Sequence, residues 1–210
     1  MIVENLSFPD PQANLHYDEE LLRRAEKGEG SECLRFWESP AHFVVLGRTG
    51  VAEDDVELAA AERENIPVLR RSSGGGTVLQ GPGCLNFAVV LAMKRHPDLV
   101  NIRRSYAFIL NRIISAVMGL GVEAEFRPVS DLVVKSTERK FSGNAQRRGR
   151  QFILHHGTIL YDFDVSLISR YLKIPKKIPD YRAHRPHADF VSNIPADPQQ
   201  IREMIQKEFL

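Results

Sequence analysis

Residues 84–92, CLNFAVVLA, are almost unbroken in apolar character. A strand with one face in water alternates apolar and polar side chains, whereas a strand covered on both faces has no reason to alternate. The stretch therefore predicts a central strand with other elements packed over both sides of its sheet. Just before it runs RRSSGGGTVLQGPG (70–83), itself entered from IPVLRR (66–71), so three consecutive glycines sit between strands. Such a run predicts a place where no side chain is allowed at Gly74, Gly75 or Gly76. Bare main chain lets N–H groups turn toward an anion or lets a flat ligand lie on the backbone, and Arg70 and Arg71 add donors suited to phosphate or carboxylate. A glycine-rich hairpin with solvated arginines is the competing reading.

Two phosphate signatures are excluded by their own spacing. Gly76 and Gly81 stand as in a P-loop, but Pro82 and Gly83 occupy the Lys and Ser/Thr places. The dinucleotide fingerprint fails because Leu79 replaces the third glycine after Gly74 and Gly76, and no helix opens there.

Helical spacing predicts helices over 14–28, capped by Asn14 or Asp18 and stopped at Gly28; over 54–65; over 102–121; over 166–173; and from Asp197 with Pro198 at the first helical position. ECLRFW (32–37) and HFVVLG (42–47), parted by Glu38-Ser39-Pro40, predict a hairpin. VEAEF, DLVVK, RKFSG and QFILHHGTILY give four further strands. The stretch 174–195, rich in proline, basic residues and histidine, lacks any period and is expected to be a structured surface loop of functional kind. Helices alternating with clusters of strands imply an α+β domain with a mixed or antiparallel central sheet flanked by helices, a single domain over 1–210.

The 210 residues suit one full core, and 43% apolar with 26% charged residues excludes disorder or a fibrous repeat. A net charge of +1 argues against a general nucleic-acid or membrane-surface binder. Cys33 and Cys84 form neither CxxC nor a metal spacing, which fits a reducing cytoplasm, and neither a signal peptide nor a membrane-spanning run is expected.

A second cluster lies at 131–164. Lys140 directly precedes Phe-Ser-Gly, where a strand places it beside another backbone turn that a ligand can approach. A solvated surface lysine is the bland alternative. His155 and His156 are adjacent, hence on opposite faces of a strand, so only one of them can line a given pocket. A metal site is not expected there, since no further ligand spacing completes a set.

Taken in order, RRSSGGGTVLQGPGCLNF, DLVV, RKFSGNAQ and LHHGTILYDFD resemble the lipoate–protein ligase A family and the wider biotin/lipoyl ligase and transferase fold. The resemblance extends over roughly 14–193 and includes NLHYDEELLRRA and LRFWESPAHFVVLGR. It implies an enzyme that activates lipoate with Mg-ATP as lipoyl-AMP, then passes the acyl group to a lysine of a carrier domain, such as a 2-oxoacid dehydrogenase E2 or a glycine cleavage H protein. Gly74, Gly75 and Gly76, with Ser73, Thr77 and Val78 beside them, would then wrap the acyl-phosphate end. Arg71 and Arg70 would neutralise phosphate, and Lys140 would donate to the acyl carboxyl oxygen and the bridging phosphate. Asn86 and Asp131 would belong to the nucleotide end, with Asp131 a candidate Mg contact. Gly143, His156, Gly157 and Thr158 would line the same pocket, and Val78, Leu79 and Phe87 would wall the acyl tail.

Two departures stand out: Val78-Leu79-Gln80 replaces the family's common VFH, and Ser130 replaces the Asn that commonly precedes Asp131. The family's C-terminal accessory domain has no counterpart in these residues, which suggests a separate accessory chain or, alternatively, an octanoyl/lipoyl acyltransferase working without ATP. Such a transferase needs a cysteine nucleophile. Neither the loop before Lys140 nor the stretch after the HHG motif has one, and Cys84 reads as a buried small hydrophobe. A biotin ligase is disfavoured because RRSSGGG stands in place of that family's Gly-Arg-Gly-Arg loop. A non-catalytic carrier-binding module is disfavoured by the presence of Lys140, both arginines and all three glycines. Lys176, Lys177, Arg182 and Arg185 form a basic loop proposed to guide an acidic carrier.

Overall fold

The computed structural model describes residues 1–176 and 178–210. Its strands are β1 (Ile2–Asn5), β2 (Cys33–Trp37), β3 (Phe43–Leu46), β4 (Val68–Arg70), β5 (Val78–Gln80), β6 (Cys84–Ala92), β7 (Ala124–Arg127), β8 (Asp131–Val134), β9 (Arg139–Arg148) and β10 (Phe152–Leu160). Its helices are α1 (Pro11–Lys27), α2 (Ala52–Asp55), α3 (Leu58–Arg63), α4 (Ile102–Met118), α5 (Ser166–Tyr171), α6 (His187–Phe190) and α7 (Pro198–Phe209). A seven-stranded mixed sheet runs β1-β2-β6-β10-β9-β8-β7, and a three-stranded sheet runs β4-β3-β5. No helix among the described residues is long and apolar enough to cross a membrane.

All nine residues of β6 are buried, as its sequence requires. Leu85, Phe87, Val89 and Leu91 pack into one core with Ile109 and Ile113 of α4 and Ile201 and Ile205 of α7. The alternate residues Ala88 and Val90 meet Leu21, Leu22 and Ala25 of α1 on the opposite face. Pairing of β6 with β2 on one side and β10 on the other makes it the covered inner strand of the large sheet.

Three local expectations are corrected. The segments 32–37 and 42–47 do not form a hairpin: β2 pairs with β1 and β6, while β3 pairs with β4 and β5 in the other sheet. Both are buried along their whole length, so each needs a neighbour on both edges, and two strands in one hairpin cannot provide that. The stretch 54–65 is two short helices, because buried Val56 turns extended and bridges Leu172 instead of continuing the helix. α1 begins earlier than its apolar period, with Asp10 accepting from the Gln12 N–H (3.0 Å) and Pro11 at the first turn. Asn14 and Asp18 are buried inside that helix. The glycine stop holds, since Gly28 adopts φ +77°.

Candidate active site

A cleft of about 480 Å³ opens between the two sheets. Arg71, Gly75, Gly76, Thr77 and Val78 line it from the glycine loop, and Asn86 from β6. Asp131, Lys140 and Gly143 line it from β8 and β9, and His156, Gly157 and Thr158 from β10. The apolar part includes Leu15, Trp37, Leu79 and Phe87. Ser73 and Gly74 border a smaller polar recess of about 320 Å³ with Arg48 and Arg147. Arg70 lines neither space: its Nη1 donates to the carbonyls of Gly47 (2.8 Å), Arg48 (3.1 Å) and Gly50 (2.8 Å), fastening the turn after β3. One end of the guanidinium is thus tied to main chain, in place of the phosphate contact that the resemblance implies for it.

The glycine loop takes its shape from behind. Arg71 Nη2 donates to Gly74 O (2.7 Å) and Gly76 O (2.8 Å), its Nη1 to Val45 O (3.3 Å), and its Nε to Ser73 Oγ (3.0 Å). Burial lowers this guanidinium's pKa to about 10, which leaves it charged at neutral pH. With the carbonyls drawn to Arg71, no protein acceptor among the described residues meets the N–H groups of Gly74, Gly75 or Gly76. Unpaired amides on a loop of this kind are able to receive an anion.

The loop is also tied to β10. Arg71 can only donate, so Ser73 Oγ accepts from it, and the same oxygen shares a hydrogen bond with His156 Nε2, 2.6 Å away. His156 Nδ1 lies 3.8 Å from Asp18 Oδ2, in reach of its charge. Asp18 is anchored in turn by the buried Arg35 (2.6 Å) and by the Trp37 indole N–H (3.2 Å). None of this was legible before the fold, because Asp18 reads as a helix cap and Arg35 as one charge in a strand.

The three glycines are not equivalent. Gly75 has φ +92°, and a Cβ there would lie 3.0 Å from Arg71 Nη2. At Gly74 and Gly76 a Cβ would meet nothing within 4 Å. The protein itself therefore excludes a side chain only at Gly75, and the space beside Gly74 and Gly76 is open. Gly47, which carried no signal of its own, is demanded more strongly, since its Cβ would meet Gly75 O at 2.1 Å.

On the opposite wall, Lys140 Nζ sits 2.7 Å from Asp131 Oδ1. Gly143 leaves the room this side chain occupies, because a Cβ at 143 would lie 3.0 Å from Nζ. The second carboxylate oxygen of Asp131 accepts from the Tyr181 hydroxyl at 2.6 Å. Burial, then the Asp131 charge, pushes the Tyr181 pKa well above the usual phenol range.

The two histidines diverge as strand geometry requires. His156 faces the cleft, whereas His155 is fully buried, with Nε2 donating to Asn144 Oδ1 (3.2 Å) and Nδ1 accepting from Gln146 Nε2 (3.0 Å). Burial, reinforced by His156, lowers the His155 pKa to about 3. Asn144 also donates to Ser130 O (2.9 Å), and a Cβ at Gly157 would strike Asn144 Oδ1 at 2.0 Å. Gly157 is thus a space left for Asn144, whose place in RKFSGNAQ was its only signal.

The segment 174–195 is more than a surface loop. Arg182, His187, Phe190 and Val191 are buried and roof the cleft, with the Arg182 guanidinium 4.6 Å from the Phe190 ring centre. Arg182 and Arg185 bond to main-chain carbonyls within the roof, and Lys176 pairs with Asp54 (2.7 Å), so the basic loop is largely engaged by the protein itself. Lys177 lies outside the described residues. Cys84 is fully buried, and burial raises its pKa to about 12, so it presents no thiolate to the cleft. Among the described residues no three His, Cys, Asp or Glu side chains gather as a metal site.

Residues 10–209 match the family model described as the lipoyl protein ligase A/B catalytic domain. A Mycoplasma pneumoniae protein named "Probable lipoate-protein ligase A" is 31% identical over 166 residues, covering 79% of this chain and 47% of that protein. Its namesake from Mycoplasma genitalium is 29% identical over 167 residues, with 80% and 48% covered. The chain spans about half the length of these curated relatives. A bipartite lipoate protein ligase from Thermoplasma acidophilum, described with its E2 lipoyl domain, superposes with a TM-score of 0.85 at 24% identity over 99% of this chain and 81% of that one. A lipoate-protein ligase A bound with ATP gives 0.82 at 25% identity, covering 99% and 83%. The biotin protein ligase of Aquifex aeolicus, at 0.55 and 12% identity over 99% of this chain and 68% of its own, shares the fold alone.

Proposed function

The chain belongs to the lipoyl protein ligase A/B catalytic-domain family, and we propose that it activates lipoate with ATP as lipoyl-AMP and transfers the lipoyl group to a lysine of a carrier domain. One observation carries this reading: the ammonium of Lys140 and the unpaired glycine-loop amides border one cleft that also has an apolar stretch of wall. The apolar wall at Leu15, Trp37, Val78, Leu79 and Phe87 suits an aliphatic tail, and the polar end suits a carboxylate meeting a phosphate.

In this reading Lys140 needs no proton chemistry. A fixed cation beside oxygens that gain charge in the transition state lowers the barrier in both half-reactions, and the free amides of Gly75 and Gly76 act in the same sense. Arg71 contributes by holding those amides in place, with its charge close behind them. Asn86 and Thr158 border the cleft where the nucleotide would lie. Magnesium typically reaches such sites on substrate phosphates with only one or two protein carboxylates, and Asp131 is the fitting carboxylate. When bound, the ion would neutralise phosphate charge.

The carrier would be a lipoyl domain of the kind found in a 2-oxoacid dehydrogenase E2 or a glycine cleavage H protein. The structure of the Thermoplasma ligase described with its E2 lipoyl domain supports this partner class. A separate accessory chain for the transfer step is part of the proposal, supported by the description of the Thermoplasma ligase as bi-partite. The ATP-independent transferase is disfavoured because buried Cys84 is not presented as a nucleophile. Exchange of labelled pyrophosphate into ATP tests the reading: exchange that depends on lipoate is expected, and acyl transfer from octanoyl carrier protein without ATP would overturn it.

A further inference from the structure

We propose that Tyr181 is a positioning residue for Lys140, acting from the roof through Asp131. The contact stands on geometry alone; its catalytic consequence rests on the ligase reading above. The two carboxylate oxygens of Asp131 are divided between two partners, Oδ1 to Lys140 Nζ at 2.7 Å and Oδ2 to the Tyr181 hydroxyl at 2.6 Å. A carboxylate held at both oxygens cannot rotate without breaking a charge-assisted bond, so the hydroxyl fixes the plane of Asp131 and thereby the ammonium. Lysine needs such help, because its charge rides on a flexible four-carbon stem.

Tyr181 is itself well seated. Its carbonyl accepts from Arg185 Nη2 (3.0 Å), and the same nitrogen donates to Glu138 O (3.1 Å) on the turn just before Lys140. Its ring packs against Phe190, 5.3 Å between centres. The far end of the roof grips the main chain of the same lysine, since Lys140 O accepts from the Ser192 N–H at 2.9 Å. Lys140 is therefore held by one segment twice, through its backbone by Ser192 and through its charge by Tyr181 and Asp131. An ammonium has three N–H donors and Asp131 takes one, so the pair aims Lys140 into the cleft without exhausting it.

Tyr181→Phe keeps the ring and its contact with Phe190 and removes only the hydroxyl. It is to be compared with Asp131→Asn and with the double variant. In the folded, ligand-free protein, trace acetylation read by mass spectrometry reports how freely Lys140 is exposed to reagent, with exposed Lys207 as internal reference. Tyr181→Phe is expected to raise Lys140 labelling several-fold, and the double variant to match Asp131→Asn alone. Unchanged Lys140 labelling in Tyr181→Phe would overturn the proposal. In lipoate-dependent pyrophosphate exchange, Tyr181→Phe should lower kcat about 10-fold with KM for lipoate little changed, as expected when a reacting group is misplaced by a fraction of an ångström. Asp131→Asn should mask that loss, whereas equal losses in both backgrounds would show that Tyr181 does not act through Asp131. If the parent protein shows no exchange, the ligase reading fails, yet labelling still decides whether Tyr181 holds Lys140.

Discussion

Arg71 and Lys140 are two cations of one cleft put to opposite uses. Arg71 turns its guanidinium back onto the protein, where Val45, Ser73, Gly74 and Gly76 take up its donors. Lys140 is held by one carboxylate and keeps donors to spare. In the proposed reading the difference separates shaping a site from acting in it. The arginine draws carbonyls to itself behind the loop, and the lysine supplies a point charge that a neighbouring acid aims.

Substitutions can break this contrast, and the largest effect belongs to the lysine. Lys140→Ala should slow adenylate formation about 10²–10³-fold, while thermal unfolding stays near the parent value; a large loss of stability would mark the residue as structural. Arg71→Ala should cost both activity and about 1–3 kcal/mol of stability, because the part-buried acceptors at Val45, Ser73 and Gly74 lose their donor. Arg71→Lys should restore little, since an ammonium lacks the fork that reaches Ser73 Oγ, Val45 O and the glycine carbonyls at once. Denaturant titration beside the exchange assay separates the two contributions.

Within the loop, Gly75→Ala should destabilise by about 1–2 kcal/mol, the cost of a non-glycine residue at positive φ. Gly76→Ala should leave stability within about 0.5 kcal/mol, because nothing in the protein meets a Cβ there. It should still weaken ATP binding if that open space is where phosphate lies, and calorimetry with ATP would read this.

The pH dependence arises in the layer behind both walls. Below pH 6.5 the unfolded chain protonates His155, while the folded chain does not until about pH 3. The unfolded state then binds more protons, so stability is lost as pH falls, by up to about 1.4 kcal/mol per unit from this group. His155→Gln should flatten that part of a stability-against-pH curve obtained from urea unfolding.

The same contrast explains what could be read before the fold was known. β6 was legible because burial on both faces erases alternation, and the C-terminal helix because Asp197 caps it, accepting from the Gln199 (2.9 Å) and Gln200 (3.1 Å) N–H groups. The glycine run was legible as a place of close backbone approach, whereas Lys140 alone reads as a solvated charge and gained a site role only through the family resemblance. The partners that give those residues their roles come from distant segments. Asp18 and Tyr181 sit in stretches whose local signals are a helix and an aperiodic loop, and only tertiary packing brings one toward His156 and the other onto Asp131. The hairpin expected around Ser39 failed for a related reason, because strand signals give existence but not partners when both edges of each strand are buried.

The most direct test is calorimetric titration of a non-hydrolysable analogue of lipoyl-AMP against the parent protein and Lys140→Ala. Tight binding by the parent and an affinity weakened about 100-fold or more in the variant, as for loss of a charge aimed at a desolvated anion, is the predicted result. Equal affinity in the two proteins, both folded, would contradict the account.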